Sequence, residues 1–167
     1  MKIIGITGYK QSGKDTVAEL LAKQYLPKRT VRLGFADALK QEVCSAFRIS
    51  REYLEQNKKN FRLILQGVGT DYRRVLCGED YWVLKWMQAA NALVPIPDIL
   101  ICSDVRFHNE ANTIKQLGGV LIRVNRPGVF TDGHASETEQ TSILTDFTVH
   151  NDGTVADLQQ KLKQIKL

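Results

Sequence analysis

The stretch "GYKQSGKDT", Gly8 to Thr16, constrains this chain more than any other. It has the spacing Gly8-x-x-x-x-Gly13-Lys14. The apolar run "KIIGIT" precedes it and "DTVAELLAKQYL" follows, with Val17, Leu20, Leu21 and Tyr25 at the i, i+3, i+4, i+8 spacing of an amphipathic helix. Strand, glycine loop, helix is the setting in which this spacing binds phosphate. The glycines let the backbone wrap closely around phosphate oxygens, loop and helix N–H groups point inward, and Lys14 supplies a point charge at the β- and γ-phosphates. The dinucleotide pattern G-x-G-x-x-G is absent, which disfavours a dehydrogenase. Asp15 stands where such loops carry a hydroxyl. Two readings stand for it: an acid favoured by the helix dipole whatever the ligand, or a carboxylate on hydrated Mg²⁺ while Thr16 contacts phosphate.

The remaining segments alternate in the same way. "VRLGF" at 31–35 reads as a second strand and "ADALKQEVCSAF" as a helix. Residues 50–92 have mostly helical periodicity, interrupted by the glycines of "GVGT" and "CGED". "PDILICSDV" is a near-continuous apolar run, the pattern of a strand covered on both faces of a parallel sheet. "RFHNEANTIKQLGG" reads as a helix ending at a glycine pair. "VLIRV", "DFTVHN" and the closing helix "TVADLQQKLKQI" complete an α/β pattern with a mostly parallel five-stranded sheet and right-handed crossovers.

Four further stretches carry candidate chemistry. Asp104 ends "ILICSD", at the carboxyl end of a buried strand where α/β sheets place ligands, and reads either as a metal-binding acid or as a helix cap. Arg106 and Glu110 follow at spacings that bring them near the same helix start, and an arginine aimed at phosphate beside an acid on Mg²⁺ is a sensible pair. Asp37 and Lys40 sit at the equivalent end of the second strand, where a kinase of this architecture would receive its acceptor; Asp37 reads either as part of that site or as a helix cap. Arg123 and Arg126 flank the fourth strand; Arg126, past its end, is the better candidate for a lid arginine, against the alternative of a solvated surface arginine, and His134 lies in the same loop. Trp82 and Trp86 share a helical face, which places at least one in the core and leaves the other for stacking on a base.

Composition narrows the partners. Hydrophobic residues make up 43% and charged residues 25% of the chain, ordinary values for a folded protein. Its apolar runs are far shorter than the roughly 20 residues that span a bilayer. Cys44, Cys77 and Cys102 form no C-x-x-C pair, which argues against a disulfide framework or zinc site and for a reducing cytoplasm. The net charge of +5 suits nucleic acid or small polyphosphates, but the basic residues are scattered and no nucleic-acid-binding motif accompanies them.

With these residues in view, the chain resembles the deoxynucleoside monophosphate kinases of tailed bacteriophages and, more distantly, phosphomevalonate kinase. The resemblance rests on "GYKQSGKDT", "FADALK", "LQGVGTDYRR", "CSDVRFHNEA", "GGVLIRVNRPG" and "HASE". It implies a P-loop kinase of three α/β/α layers: a single domain with its core at 1–48 and 95–167, a helical acceptor-binding insertion at about 49–94 and a short lid at about 125–140. It implies transfer of the γ-phosphoryl of ATP, with Mg²⁺, to a deoxynucleoside monophosphate in the host cytoplasm. Gly8, Lys10, Gln11, Ser12, Gly13, Lys14, Asp15 and Thr16 would hold ATP and its metal. Asp104, Arg106 and Glu110 would form the centre of the site; Arg62, Gly69 and Thr70 would bind the acceptor, with Trp82 near its base. Related kinases also suggest a homodimer. The rival readings are a small-metabolite kinase of the phosphomevalonate type and a nucleotide- or nucleic-acid-binding module without catalysis.

Overall fold

Alternation along the first strand organises the sheet. In β1 (Lys2–Thr7), Ile4 and Ile6 point to one face and Gly5 to the other. Ile4 and Ile6 join Val17 and Leu21 of α1 (Lys14–Gln24) and Leu158 and Leu162 of the C-terminal helix in one buried cluster. On the opposite face a Cβ at Gly5 would meet Ile114, Leu121 and Val105. Helices therefore cover both faces, and each fully buried Ile or Leu stabilises the fold by roughly 1.5–3 kcal/mol.

A computed structural model describes residues 1–129 and 138–165. It divides into two compact units, Met1–Gly34 with Leu93–Leu167, and Phe35–Ala92. The first holds a five-stranded sheet in the order β2-β3-β1-β4-β5. Its other strands are β2 (Thr30–Arg32), β3 (Ile99–Cys102), β4 (Val120–Asn125) and β5 (Phe147–His150), and every pairing is parallel. The α/β expectation is met.

β2 is shorter than the run "VRLGF" suggests. One further bond continues the ladder, Leu33 N–H to Ile101 O at 3.0 Å, and the chain then leaves the sheet. The exit falls at Gly34 because a Cβ there would lie 2.5 Å from Asp104 Oδ2.

The second unit is helical: α2 (Ala36–Phe47), α3 (Arg51–Gln56), α4 (Arg62–Gln66), a π-helical segment (Gly67–Arg74), α5 (Val75–Cys77) and α6 (Tyr81–Asn91). Ser50 caps α3, its Oγ accepting from Tyr53 N–H at 3.0 Å. Val43, Cys44 and Leu54 form a core with Leu39, Phe61, Ile64 and Leu65. The expected interruption at "GVGT" does not occur. Helical backbone runs through in the wider π register, which suits a glycine at 69: a Cβ there would come within 2.8 Å of Leu39 Cδ2. The run stops at Gly78, whose φ of 98° few other residues adopt.

In the first unit, α7 (His108–Gln116) is followed by Gly118, whose φ of 74° is the left-handed conformation that the glycine pair predicts. The last helix, α8 (Val155–Gln164), starts on a reciprocal cap: Asp157 N–H donates to Thr154 Oγ1, and Thr154 N–H to Asp157 Oδ2.

Gly5 gives the fold its clearest test. A methyl group there would press on Ile114 Cδ1 and Leu121 Cδ2, each at 2.6 Å, between the sheet and α7. Gly5→Ala is expected to cost about 1–3 kcal/mol through overpacking, lowering Tm by roughly 3–10 °C. Calorimetry of the ligand-free protein measures this, and an unchanged Tm would refute the tight contact.

Candidate active site

Between β1 and α1 the chain makes the turn that the glycines permit. Gly8, Gln11 and Gly13 all have positive φ, at 143°, 65° and 100°. A Cβ on Gly8 would collide with the backbone oxygen of Val124, and one on Gly13 with Asn151 Nδ2, so both positions must be glycine. Ser12 N–H closes the turn onto Tyr9 O at 3.1 Å.

The loop's carbonyl oxygens are held by donors from several elements. Lys14 Nζ donates to Gly8 O at 2.6 Å and to Tyr9 O at 2.7 Å. Arg126 donates to Gln11 O at 3.3 Å, Asn151 Nδ2 to Ser12 O at 2.9 Å, and Val17 N–H to Gly13 O at 2.9 Å. In contrast, the buried Ser12 Oγ has no hydrogen-bond partner, nor has Thr7 Oγ1 at the end of β1. Buried polar groups are normally satisfied, so these two hydroxyls are available to donate to the acceptor oxygens of a guest.

Asp15 is exposed but engaged. Its Oδ1 accepts from Arg32 at 2.5 Å and from Ser103 Oγ at 3.1 Å, tying the start of α1 to the ends of β2 and β3. Asp104 follows Ser103, and its Oδ1 accepts a weak bond of 3.2 Å from Cys102 Sγ. Burial, and then the charge of Asp104, push the Cys102 thiol well up, so it stays a neutral donor. Glu110 is buried at the start of α7, where Oε2 accepts from Arg106 N–H at 2.8 Å and Phe107 N–H at 3.2 Å. With these two bonds Glu110 shapes the turn that presents Arg106. Lys10 and Thr16 complete the loop and first helical turn, Lys10 exposed and Thr16 half-buried.

Arg123 of β4 and Arg126, just past its end, part company. Arg126 reaches the loop, whereas Arg123 is half-buried and donates to Gln140 O at 3.0 Å and Ile143 O at 2.6 Å. Burial pushes its pKa down. Arg123 pins the chain after residue 138 to β4. Residues 130–137 of the expected lid, with His134 and "HASE", lie outside the described residues.

The second unit gathers some of its candidates. Asp37 Oδ1 accepts from Arg51 at 2.6 Å, and Lys40 pairs with Glu55 at 2.7 Å, while Arg51 also reaches Glu55 at 3.1 Å. Arg62 and Thr70 are half-buried, on α4 and the π-helical segment. Trp82 and Trp86 are both buried, at 4% and 1% exposure, which corrects the expectation that one of them offers an open stacking face. Trp82 Nε1 donates to Gly69 O at 2.7 Å and so holds the π-helical segment.

Comparison with known proteins decides the family. The deoxynucleotide monophosphate kinase family model matches residues 48–162. The chain belongs to the deoxynucleotide monophosphate kinase family. A protein of Acanthamoeba polyphaga mimivirus, provisionally named a deoxynucleotide monophosphate kinase, is 33% identical over 97% of this chain and 94% of its own length. The deoxynucleotide monophosphate kinase of Escherichia phage RB69 is 29% identical over 64% of this chain and 44% of its own. Shikimate kinase from Aquifex aeolicus superposes with a TM-score of 0.51 at 16% identity, covering 96% of this chain and 94% of that one. TT1252 from Thermus thermophilus gives 0.51 at 18%, covering 97% and 94%. These two likenesses concern the fold alone. Membership makes the chain a phosphotransferase that phosphorylates nucleotides, with ATP as phosphate donor.

For this deoxynucleotide monophosphate kinase relative, sequence reasoning overlooked Arg32, Cys102, Ser103, Asn151, Arg51 and Glu55. A signal existed for some. Ser103 and Cys102 adjoin Asp104 in "ICSD", and Asn151 follows a strand at its ligand-binding end. Arg32 on a short strand, and Arg51 and Glu55 four apart on one helix, carry no spacing that marks a site.

The Asp37–Arg51–Glu55–Lys40 chain has a pH consequence. Burial alone would raise the Glu55 carboxyl, but the hydrogen bond and charge of Lys40, with Lys58 and Arg51, lower it from 4.5 to about 2. A carboxyl depressed in the folded state contributes stability above its unfolded pKa and loses it as pH falls through the folded value. Urea titrations from about pH 5 down to about pH 2 should therefore show stability falling more steeply for the wild type than for Glu55→Gln. Parallel slopes would remove Glu55 from this role.

Proposed function

We propose that this chain moves the γ-phosphoryl group of ATP to a deoxynucleoside monophosphate, with the loop Gly8–Thr16 holding the triphosphate. The observation that carries the reading is the loop itself: its carbonyls are held by donors while the buried Ser12 hydroxyl is left without a partner. Lys14 supplies the cation to the phosphates, and Ser12 Oγ and the amides of Gly13 to Thr16 supply donors.

Mg²⁺ fits the donor set. Among the described residues no three His, Cys, Asp or Glu side chains converge as a metal cage. Asp104, Asp15, Thr16 and Ser103 offer oxygen ligands only, which suits an ion that takes one or two carboxylates with phosphate oxygens and waters. When bound, Mg²⁺ would neutralise charge on the phosphates. Asp104 is its first candidate ligand. Asp15 already has Arg32 as counter-ion, so Thr16 is the better second donor and Asp15 serves by anchoring Arg32.

No general base is needed, because the second pKa of a phosphate monoester lies near 6 and the acceptor is largely a dianion at neutral pH. What remains is positioning and charge stabilisation. Arg106 and Arg126 are the candidates for stabilising the transferred group, Arg126 already lying against the loop at Gln11 O. Asp37, Lys40, Arg62, Gly69 and Thr70 are assigned to the acceptor; Trp82 holds the π-helical segment that carries Gly69, and Glu110 shapes the turn that carries Arg106. The +5 charge suits polyanionic small substrates.

The test is a coupled ADP-release assay over all deoxynucleoside and ribonucleoside monophosphates, with phosphomevalonate as a control acceptor. Turnover is expected with one or more deoxynucleotides. Turnover of phosphomevalonate alone, or steeply salt-dependent DNA binding without ADP release, would overturn the proposal. Lys14→Ala and Asp104→Asn should each lower kcat by about 10²-fold or more with an unchanged circular dichroism spectrum. Near wild-type rates in either would remove that residue from the site.

A further inference from the structure

Asn151 lies just beyond β5, outside the residues assigned to ATP, metal or acceptor. Its side-chain amide donates from Nδ2 to Ser12 O at 2.9 Å, across the sheet end from one loop to another. A carbonyl can only accept, so the amide must present its NH₂ group there. The same NH₂ lies where a Cβ on Gly13 would be, so Asn151 also sets why that position is glycine.

The bond has a directional consequence. In a trans peptide the C=O and the following N–H point in opposite directions. Holding Ser12 O toward Asn151 therefore aims Gly13 N–H the opposite way, and among the described residues Gly13 N–H has no partner. Ser12 Oγ is the neighbouring donor, also buried without a partner.

Asn151 is itself firmly held. Its own N–H donates to Asn125 O at 2.7 Å. Lys161 of α8 donates to His150 O at 2.9 Å and pairs with Asp152. Thr154 N–H and Oγ1 both donate to Asp157 Oδ2, at 2.8 and 2.7 Å, fixing the other side of the turn. A donor held on both sides by its own supports is the arrangement that preorganises a site.

We infer that Asn151 is a positioning residue for the phosphate loop: by fixing the Ser12–Gly13 peptide plane it aims the Gly13 amide at the triphosphate. This rests on the proposed ATP-binding role of the loop. Asn151 acts on the donor nucleotide and not on the acceptor, and that split separates it from a residue that merely supports the fold.

The experiment compares wild type, Asn151→Ala and Asn151→Asp, the last having nearly the same shape but no donor when ionised. Steady-state kinetics gives KM for ATP and for the acceptor; ¹⁵N-labelled protein reports the Gly13 amide on ATP addition; calorimetry gives the ligand-free Tm. Both variants should raise KM for ATP about tenfold, the loss of one well-placed hydrogen bond, and blunt the ATP-induced shift of the Gly13 amide. The acceptor KM should stay within about twofold, and the ligand-free Tm within roughly 3 °C of wild type. An unchanged KM for ATP in both variants, or a fall in Tm with both KM values moving together, overturns the inference. Wild-type protein that shifts its Gly13 amide with ATP but releases no ADP would refute the proposed function and leave Asn151 testable by that shift. A wild-type Gly13 amide indifferent to ATP would refute both.

Discussion

The fate of the backbone carbonyls between Gly8 and Gly13 governs how the rest of this chain is arranged. A peptide that turns its N–H groups toward a ligand turns its C=O groups the other way, and those oxygens need donors. Here the donors come from α1, the end of β4 and the end of β5. The parallel order β2-β3-β1-β4-β5 brings those strand ends to one edge, since every strand runs the same way. A sheet with β1 at its centre is thus more than a support for the loop. It delivers the groups that hold the loop open.

Charge follows a related logic. Several cations near the candidate residues already have partners: Arg32 with Asp15, Lys40 with Glu55, and Lys14 with two carbonyls. Such partly exposed pairs add little stability on their own. Their value lies in orientation, because a long side chain fixed before the ligand arrives has less rotamer freedom to lose afterwards. A carboxylate beside a phosphate-binding loop therefore serves as readily by aiming a cation as by binding a metal. Asp15 illustrates this, since its place in a phosphate loop looks anomalous until Arg32 is seen beside it.

How far the sequence revealed all this depends on the range of the interaction. The loop, its flanking strand and helix, and Asp104 at the end of a buried strand were legible, because spacing and periodicity along a few residues encode them. The sheet's parallel character was legible from the alternation of elements. The early exit of β2 was not, because Gly34 yields to Asp104, which is distant in sequence. The π register of Gly67–Arg74 was hidden too, since glycines signal a break unless a neighbour such as Leu39 needs the space. Asn151 was missed for the same reason: its purpose is defined by a carbonyl at the other end of the chain.

Gly34 has a meaning for anyone who would engineer this molecule. It ends the N-terminal segment of the first unit, and stiffening such a connection with alanine is a common route to greater stability. At this position that route is closed, because the added methyl would occupy the space of the Asp104 carboxylate. The two sites form a single unit of sequence change: a library that varies residue 34 samples the geometry of residue 104 whether or not its designer intends it.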